Sequence, residues 1–434
     1  MATSPFHLAW FLNFVADDWN GPWGSGGMPW DGDFYVDMAK QLERACFDYL
    51  ILEDKCHVSD AYGGTMAADL KHGIVPKHDP APLATLVAAA TSRLGVVATM
   101  STSFYPPWML ARLSATIDHI AKGRFGWNIV TSAEDRAAQN FGMHELYEHD
   151  LRYDMADEYL DLVHQLWGSW DADAVVRDRD TGTYVDPSKV RTIDFEGRFY
   201  KSRGPLNTLP PPYGKPVLCQ AGASPKGRAF AAKYADTIIS PYQDPALMKA
   251  YRDDIRLRVE AAGRKPDDVK VLFLASPVVG ETEAEARERQ SRWLSHPLFV
   301  EYTLAELASI TEIDFSTYDL DEPLPEVTTN GERGTLEAFL SKAKGQPLTL
   351  RELAYGGLTE PSTLVGTPEQ VAEKMGEMME TVGGDGFLIT SPVMRLNRRY
   401  IVEITDGLVP ALQRAGLMRT SYTYEGFRDN LLEF

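Results

Sequence analysis

The sequence predicts an α/β chain folded as a (β/α)8 TIM barrel, and three observations carry that expectation. Short apolar runs alternate with longer amphipathic ones, eight times over. The order is always strand then helix, and regular alternation of that kind implies parallel strands. The fingerprint GxGxxG, which would open a doubly wound dinucleotide-binding sheet, is absent after the first run. Eight such units suit a closed barrel better than an open sheet.

The elements follow in chain order. "FHLAWFLNF" (Phe6–Phe14) reads as the first strand. "DFYVDMAKQLERACF" (Asp33–Phe47) places Tyr35, Met38, Leu42 and Ala45 at helical spacing. "DYLILED" (Asp48–Asp54) is a strand, and "PAPLATLVAAATSR" (Pro80–Arg93) a helix entered through proline. "LGVVATMST" (Leu94–Thr102) is a strand, and "WMLARLSATIDHIAKG" (Trp108–Gly123) a helix stopped by Lys-Gly. "GRFGWNIVTSAE" (Gly123–Glu134) supplies the fourth strand, and Arg152–Trp170 the fourth helix.

The rhythm then resumes after an interruption. Pro216–Gly222 leads to Ser224–Ala235, and Asp236–Ser240 to Asp244–Gly263. Val269–Gly280 leads to Thr282–Leu294, and Asp385–Pro392 to Asn397–Gly416. Three segments break the pattern, near 15–32, 170–215 and 296–368. The second has the turn residues of a small hairpin. All three are read as insertions at the C-terminal face of one barrel domain spanning 1–434.

Composition narrows the function. With 62 acidic against 43 basic residues, the net charge is −19. Such a surface repels phosphate backbones and anionic lipid, so neither nucleic acid nor a membrane is expected as partner. Three cysteines, Cys46, Cys56 and Cys219, give no disulfide framework and suit a reducing compartment. No signal-peptide pattern and no stretch of ~20 apolar residues is visible, so a cytoplasmic location is expected.

In a (β/α)8 barrel the site lies where strands end. Here those ends are polar: Asp54 after strand two; Thr99, Ser101 and Thr102 on strand three; Asn128, Thr131 and Ser132 on strand four. Strand five ends at Gln220 and runs through Gly222 into Ser224, and strand eight ends in Thr390 and Ser391. A single polar strand end simply meets water, but five together suit a flat ligand with donors and acceptors around its rim. By alternation Asn128 faces the mouth, while Phe125 and Trp127 face the helices.

"QAGASPKG" sets Ser224 at an N-cap, and a helix N-terminus favours an anion such as phosphate. His149 and Tyr153, four apart, share a face if their helix begins early. No HExxH, zinc-spaced Cys/His set, GxSxG elbow or Walker A motif is present, so no metal site is expected. Chemistry then falls to a bound organic cofactor.

Several stretches carry a resemblance. They are "GRFGWNIVTS", "NFG…EHDLRYDMADEYLDLVHQLWGSW", "RGPLNTLPPPYGKPVLCQAGASPKGR", "GTPEQVAEKM", "GGDGFLITSP" and "VPALQRAGLMRTSYTYEGFRDNL". In these the chain resembles the bacterial luciferase-like flavin monooxygenases, in the branch of nitrilotriacetate monooxygenase component A and dibenzothiophene-sulfone monooxygenase. The resemblance implies a barrel that binds reduced FMN (FMNH2) delivered by diffusion from a separate NAD(P)H-dependent flavin reductase. With O2 as co-substrate, such enzymes oxygenate a small organic substrate through a peroxyflavin, often cleaving a C–S, C–N or C–halogen bond. By the same resemblance Asp54, Thr99 and Asn128 line the flavin ring and ribityl chain, and His149, Tyr153 and Ser224 hold chain and phosphate.

Two departures stand out. Ile310 occupies a position where some members carry a histidine, so no acid/base is assigned from that loop, and the catalytic residues are unassigned. "LEDK" replaces a commoner Pro-Asp or Ala-Asp pair.

Trp10, Phe11 and Phe14, with Trp19, Trp23, Met28 and Trp30, favour a hydrophobic or aromatic substrate bearing a heteroatom or halogen. Lys55 and His57 are the polar candidates for the substrate pocket, whereas Arg395, Arg398 and Arg399 read as solvent-facing. The C-terminal "TSYTYEGFRDNLLEF" reads as a docking tail, which with the resemblance suggests a homodimer or homotetramer. A deazaflavin-dependent oxidoreductase and a non-catalytic flavin-binding protein are the competing readings.

Overall fold

Eight short strands are almost wholly buried on both faces, as parallel strands sheathed in helices must be. The computed structural model describes residues 4–12, 32–343, 345–355, 362–391 and 398–434. In chain order the strands are β1 (His7–Leu12), β2 (Tyr49–Leu52), β3 (Gly95–Ser101), β4 (Phe125–Val130), β5 (Val217–Gln220), β6 (Thr237–Ser240), β7 (Lys270–Ala275) and β8 (Gly386–Ile389). They close into one all-parallel barrel in which β8 pairs with β1. The (β/α)8 expectation is met.

Strand alternation sorts the side chains. Ala9, Tyr49, Ile51, Val97, Cys219 and Leu272 point inward and fill the barrel. Phe125 and Trp127 point outward into the layer beneath the helices, as expected, and Trp127 meets Tyr159 at 6.1 Å. The sheath includes α1 (Asp33–Arg44), α2 (Pro80–Ala90), α3 (Pro107–Ile120), α4 (His149–Trp167), α5 (Pro225–Tyr234) and α6 (Pro245–Ala261).

The seventh unit departs from the expected pattern. The helix Glu283–Leu294 buries only Ala286 and Arg289, too little apolar surface to sheathe a barrel. It packs instead on a small parallel pair, Val278–Val279 with Val365–Gly366. Pro277, lacking an N–H, separates that pair from β7. Among the described residues three insertion helices follow, α7 (Phe299–Thr311), α8 (Arg333–Ser341) and a short one at Leu350–Tyr355. The seventh sheath helix is α9 (Pro368–Val382), which buries Val371, Met375, Met379 and Val382 at helical spacing.

The expected last helix, Asn397–Gly416, is interrupted by a π-helical stretch at Glu403–Leu408, just before Pro410. A proline inside a helix removes one i→i−4 bond, and the wider turn accommodates its ring.

The insertion near 170–215 forms two antiparallel hairpins, Val175–Asp178 with Thr183–Val185 and Phe195–Glu196 with Lys201–Ser202. The long insertion has its own apolar cluster around Leu304, Phe315 and Phe339. It is tied to the carboxyl rim. Gly63 N–H donates to Asp314 at 2.9 Å, Arg136 pairs with Glu312 at 3.0 Å, and Arg152 donates to the Asn330 carbonyl at 3.2 Å. The first insertion, near 15–32, lies almost wholly outside the described residues.

The segment read as a docking tail docks on its own barrel. Phe427 and Leu431 enter the barrel interior from its amino end. Phe427 packs on Tyr49 at 5.4 Å and lies over Gly95 and Gly126. Lys270 donates to the Phe434 carbonyl at 2.9 Å. The tail is apolar on the face that docks, and the open end of its own barrel supplies the partner surface.

Candidate functional site at the carboxyl rim

The β3–β4 register places Thr99 beside Asn128, both facing inward at the carboxyl end. Asn128 donates its side-chain N–H to Thr99 Oγ1 at 2.9 Å, and Asn128 Oδ1 is buried without a partner among the described residues. Ser132, at a left-handed φ of 57°, bonds Ser101 through its hydroxyl at 2.7 Å. The Thr131 carbonyl accepts from Ser103 Oγ at 2.8 Å. These two positions brace the rim loops.

One strand on, Asn128 pairs with Cys219 and Ile129 with Gln220. Gln220 is buried and its Oε1 has no partner among the described residues. The Tyr153 hydroxyl faces Gln220 and Ser224. Ser224 is the N-cap of α5, its hydroxyl accepting from Gly227 N–H at 3.0 Å. A Cβ built on Gly227 would stand 2.8 Å from the Tyr153 hydroxyl and 3.1 Å from Ser224 Oγ, so glycine keeps this space open.

Helix α4 does begin early, at His149, after Glu148 caps it by accepting from Asp150 and Leu151 N–H. His149 and Tyr153 therefore share a face, with ring centroids 5.2 Å apart. His149 Nδ1 lies 2.7 Å from Asp150 Oδ1, which leaves Nε2 for another partner.

Around the rim at β2, Asp54 accepts from Lys55 N–H at 2.8 Å and from the Cys56 thiol at 3.3 Å. Burial, then the nearby Glu53 and Asp79 carboxylates, raises the Asp54 pKa to about 6 against those bonds. Lys55 Nζ meets Asp69 Oδ2 at 3.3 Å, and Lys77 pairs with Glu53. His57 is buried, and burial with the Lys55 charge lowers its pKa to about 3, so the ring is neutral.

The aromatic candidates divide. Phe11 is half-buried against the barrel interior. Trp10 lies on the other face of β1, buried against Phe47 and Tyr400 in the outer layer, and does not face the mouth. Phe14, Trp19, Trp23, Met28, Trp30 and Arg395 fall outside the described residues. The structure thus brings Thr99, Asn128, Tyr153 and Ser224 to one end of the barrel, with Asp54 on the rim at β2. Gln220 was visible only as one polar strand end among several; its unpartnered oxygen emerges from the fold.

The fold and this rim define a (β/α)8 barrel protein whose hydrogen-bonding groups converge at the carboxyl ends of its strands. The luciferase-like monooxygenase family model matches residues 9–386. Dibenzothiophene-sulfone monooxygenase of Rhodococcus erythropolis is 39% identical over 410 residues, covering 92% of this chain and 89% of that protein. Nitrilotriacetate monooxygenase component A of Aminobacter aminovorans is 34% identical, covering 92% and 90%. The structure of a riboflavin lyase with modified FMN and riboflavin superposes with a TM-score of 0.88 at 31% identity, covering 99% of this chain and 96% of that one. This chain belongs to the luciferase-like monooxygenase family and is a flavin-dependent monooxygenase, of a family that uses reduced flavin and O2.

Proposed function

We propose that the chain is the oxygenase component of a two-component system. It takes reduced FMN from a separate NAD(P)H-dependent flavin reductase and oxygenates a small heteroatom-bearing compound. The relative named component A supports that partition. The observation that carries the reading is the cradle at Gly227, where the Tyr153 and Ser224 hydroxyls meet at the first turn of α5 beside the unpartnered Gln220 oxygen.

A phosphate suits this cradle. Hydroxyl groups converge on the N-terminus of α5, where Pro225 has no N–H and Gly227 N–H bonds Ser224, so Lys226 N–H is the main-chain donor left for an anion. A ring N–H suits Asn128 Oδ1, since an acceptor left unpaired in the interior costs free energy. Thr99 holds that amide in orientation, and Asp54 borders the ring from β2. Reduced FMN, when bound, supplies the two electrons that activate O2. The protein's part is to hold the ring at the rim, and α7 and α8 are positioned to exclude water from it.

The test is anaerobic titration with reduced FMN and with a reduced deazaflavin, followed by turnover with a flavin reductase, NADH and a panel of organosulfur and aromatic compounds. Oxygenated product is scored, because peroxide leakage also consumes NADH. Tight binding of reduced FMN and product from at least one compound are expected. Preference for the deazaflavin, or binding without any product, would overturn the reading.

A further inference from the structure

Three cations converge on one buried carboxylate at the amino end of the barrel. Asp236, which directly precedes β6, is 0% exposed, and its Oδ2 accepts from Leu218 N–H at 2.9 Å. Around its Oδ1 stand Arg428 Nη2 at 2.8 Å, Lys215 Nζ at 3.6 Å and Arg264 Nη2 at 3.8 Å. The three come from separate segments. Arg428 lies on the helix Phe427–Leu431, Lys215 in the loop before β5, and Arg264 in the turn after α6.

One carboxylate cannot answer all three. Among the described residues none of these cations has a second ion pair. Lys215 and Arg264 stand beyond hydrogen-bonding distance of Oδ1, and Arg428 lies off the line of a hydrogen bond to it. Arg264 gives one N–H to the Ala232 carbonyl at 3.0 Å, so most donors of the cluster are unspent. The chain as a whole carries −19, yet around this one atom positive charge exceeds negative by two. The next carboxylate to act there is Asp268, on Arg264 and after every other influence. The Lys215, Arg264 and Arg428 side chains are 31%, 19% and 34% exposed, open to a small solute yet too enclosed for full screening by salt. Burial lowers the pKa of Lys215 and of Arg264 more than Asp236 raises it, and Arg428 adds to both falls. The fold thus carries these charges at a cost that an anion would relieve.

We propose that Lys215, Arg264 and Arg428 form a seat for a small oxyanion, of the size and charge of phosphate, at the amino end of the barrel and remote from the carboxyl rim. A dianion matches the surplus of two charges, and two guanidinium forks with an ammonium match its several oxygens. Through Arg428 the seat joins the helix Phe427–Leu431 to the starts of β5 and β6, so an occupied seat also steadies the segment that closes the barrel.

The test uses the full chain carrying Tyr153→Phe and Ser224→Ala, which removes the hydroxyls of the rim cradle and keeps that end from competing for the probe. Inorganic phosphate and AMP, a phosphate ester, are titrated by calorimetry, and urea unfolding is followed in phosphate and in chloride at equal ionic strength. One equivalent of phosphate is expected to bind, with stability rising as the logarithm of its concentration above Kd. Lys215→Gln and Arg264→Gln should each weaken phosphate binding about tenfold, the loss of one charged hydrogen bond, and Lys215→Arg should retain it. Cations that served only to hold Asp236 would behave differently, the glutamine variants losing the same stability in both salts. AMP bound as well as phosphate would assign the seat to a phosphoryl group on a larger molecule, and phosphate bound alone to the free ion; both uphold the seat. No effect of phosphate beyond that of chloride, or an effect that survives both glutamine substitutions, would overturn it. Reduced-FMN affinity of the unsubstituted chain should not change with Lys215→Gln, so the seat and the oxygenase reading stand or fall separately.

Discussion

Asn128 and Thr99 sit side by side on adjacent strands, the amide N–H on the threonine hydroxyl at 2.9 Å and the amide oxygen left without a partner. The bond fixes which way the amide points, so the oxygen is presented rather than free to rotate. Replacing Asn128 with leucine removes a presented acceptor at nearly constant volume. Reduced-FMN affinity should fall by about 1–3 kcal/mol, and Thr99→Val should cost less, about 1 kcal/mol, by freeing the amide. An anaerobic fluorescence titration measures both; equal losses for the two variants would argue against the orienting role.

Tyr153 and Ser224 reach the same point from different elements, so they should act together on one anion. The double change Tyr153→Phe with Ser224→Ala should weaken reduced-FMN binding by about 2–4 kcal/mol, since hydrogen bonds to a charged group are the stronger kind. Riboflavin, which lacks the phosphate, provides the control and should bind the double variant and the wild type alike. A parallel loss for riboflavin would mean that the two side chains shape the helix end rather than meet a phosphate.

Much of this site was legible before the fold was known, for reasons of periodicity. The alternation Trp127-out, Asn128-in follows from the pleat alone. Ser224 could be read as an N-cap from local chemistry. Trp10 could not be placed the same way. In a strand buried on both faces the residue types do not tell lumen from outer layer, so Phe11 and Trp10 look interchangeable until pairing sets the parity. Helix α9 and the helix Glu283–Leu294 compete for one place in the sheath, and only the count of buried apolar residues decides between them. The closing of the barrel's amino end by Phe427 is a long-range contact that no local pattern encodes.

Asp54 makes the pH dependence of the apo-protein testable. Its pKa is raised by burial, then by Glu53 and Asp79, from an ordinary 3.8 to about 6. The folded state therefore holds this proton more tightly than the unfolded chain does. Stability must fall as pH climbs through that window and stay lowered above it. Asp54→Asn should remove the effect, making the apo-protein more stable at pH 8 by about 1–3 kcal/mol, with the difference shrinking toward pH 4. Urea unfolding at several pH values reads this directly. A variant less stable than wild type at pH 8 would show that the bonds from Lys55 N–H and the Cys56 thiol outweigh the cost of burial.

The amino end of the barrel offers a stability test remote from the rim. Phe427 is 1% exposed, and its ring fills the space over Gly95, where an added Cβ would come within 2.7 Å of it. Truncation to alanine opens a cavity among Tyr49, Val97 and Leu431, which cannot collapse because the strands around it are hydrogen-bonded into a closed ring. Phe427→Ala should therefore cost about 3–5 kcal/mol of unfolding free energy. Gly95→Ala forces the opposite fault, overpacking, and should cost about 1–3 kcal/mol. Combining the two should cost less than their sum, because the alanine methyl would occupy space the lost ring vacates. Strict additivity in denaturant unfolding would mean that the two residues do not share this space in solution, and reduced-FMN affinity should be unchanged in all three proteins because the rim lies at the other end of the strands.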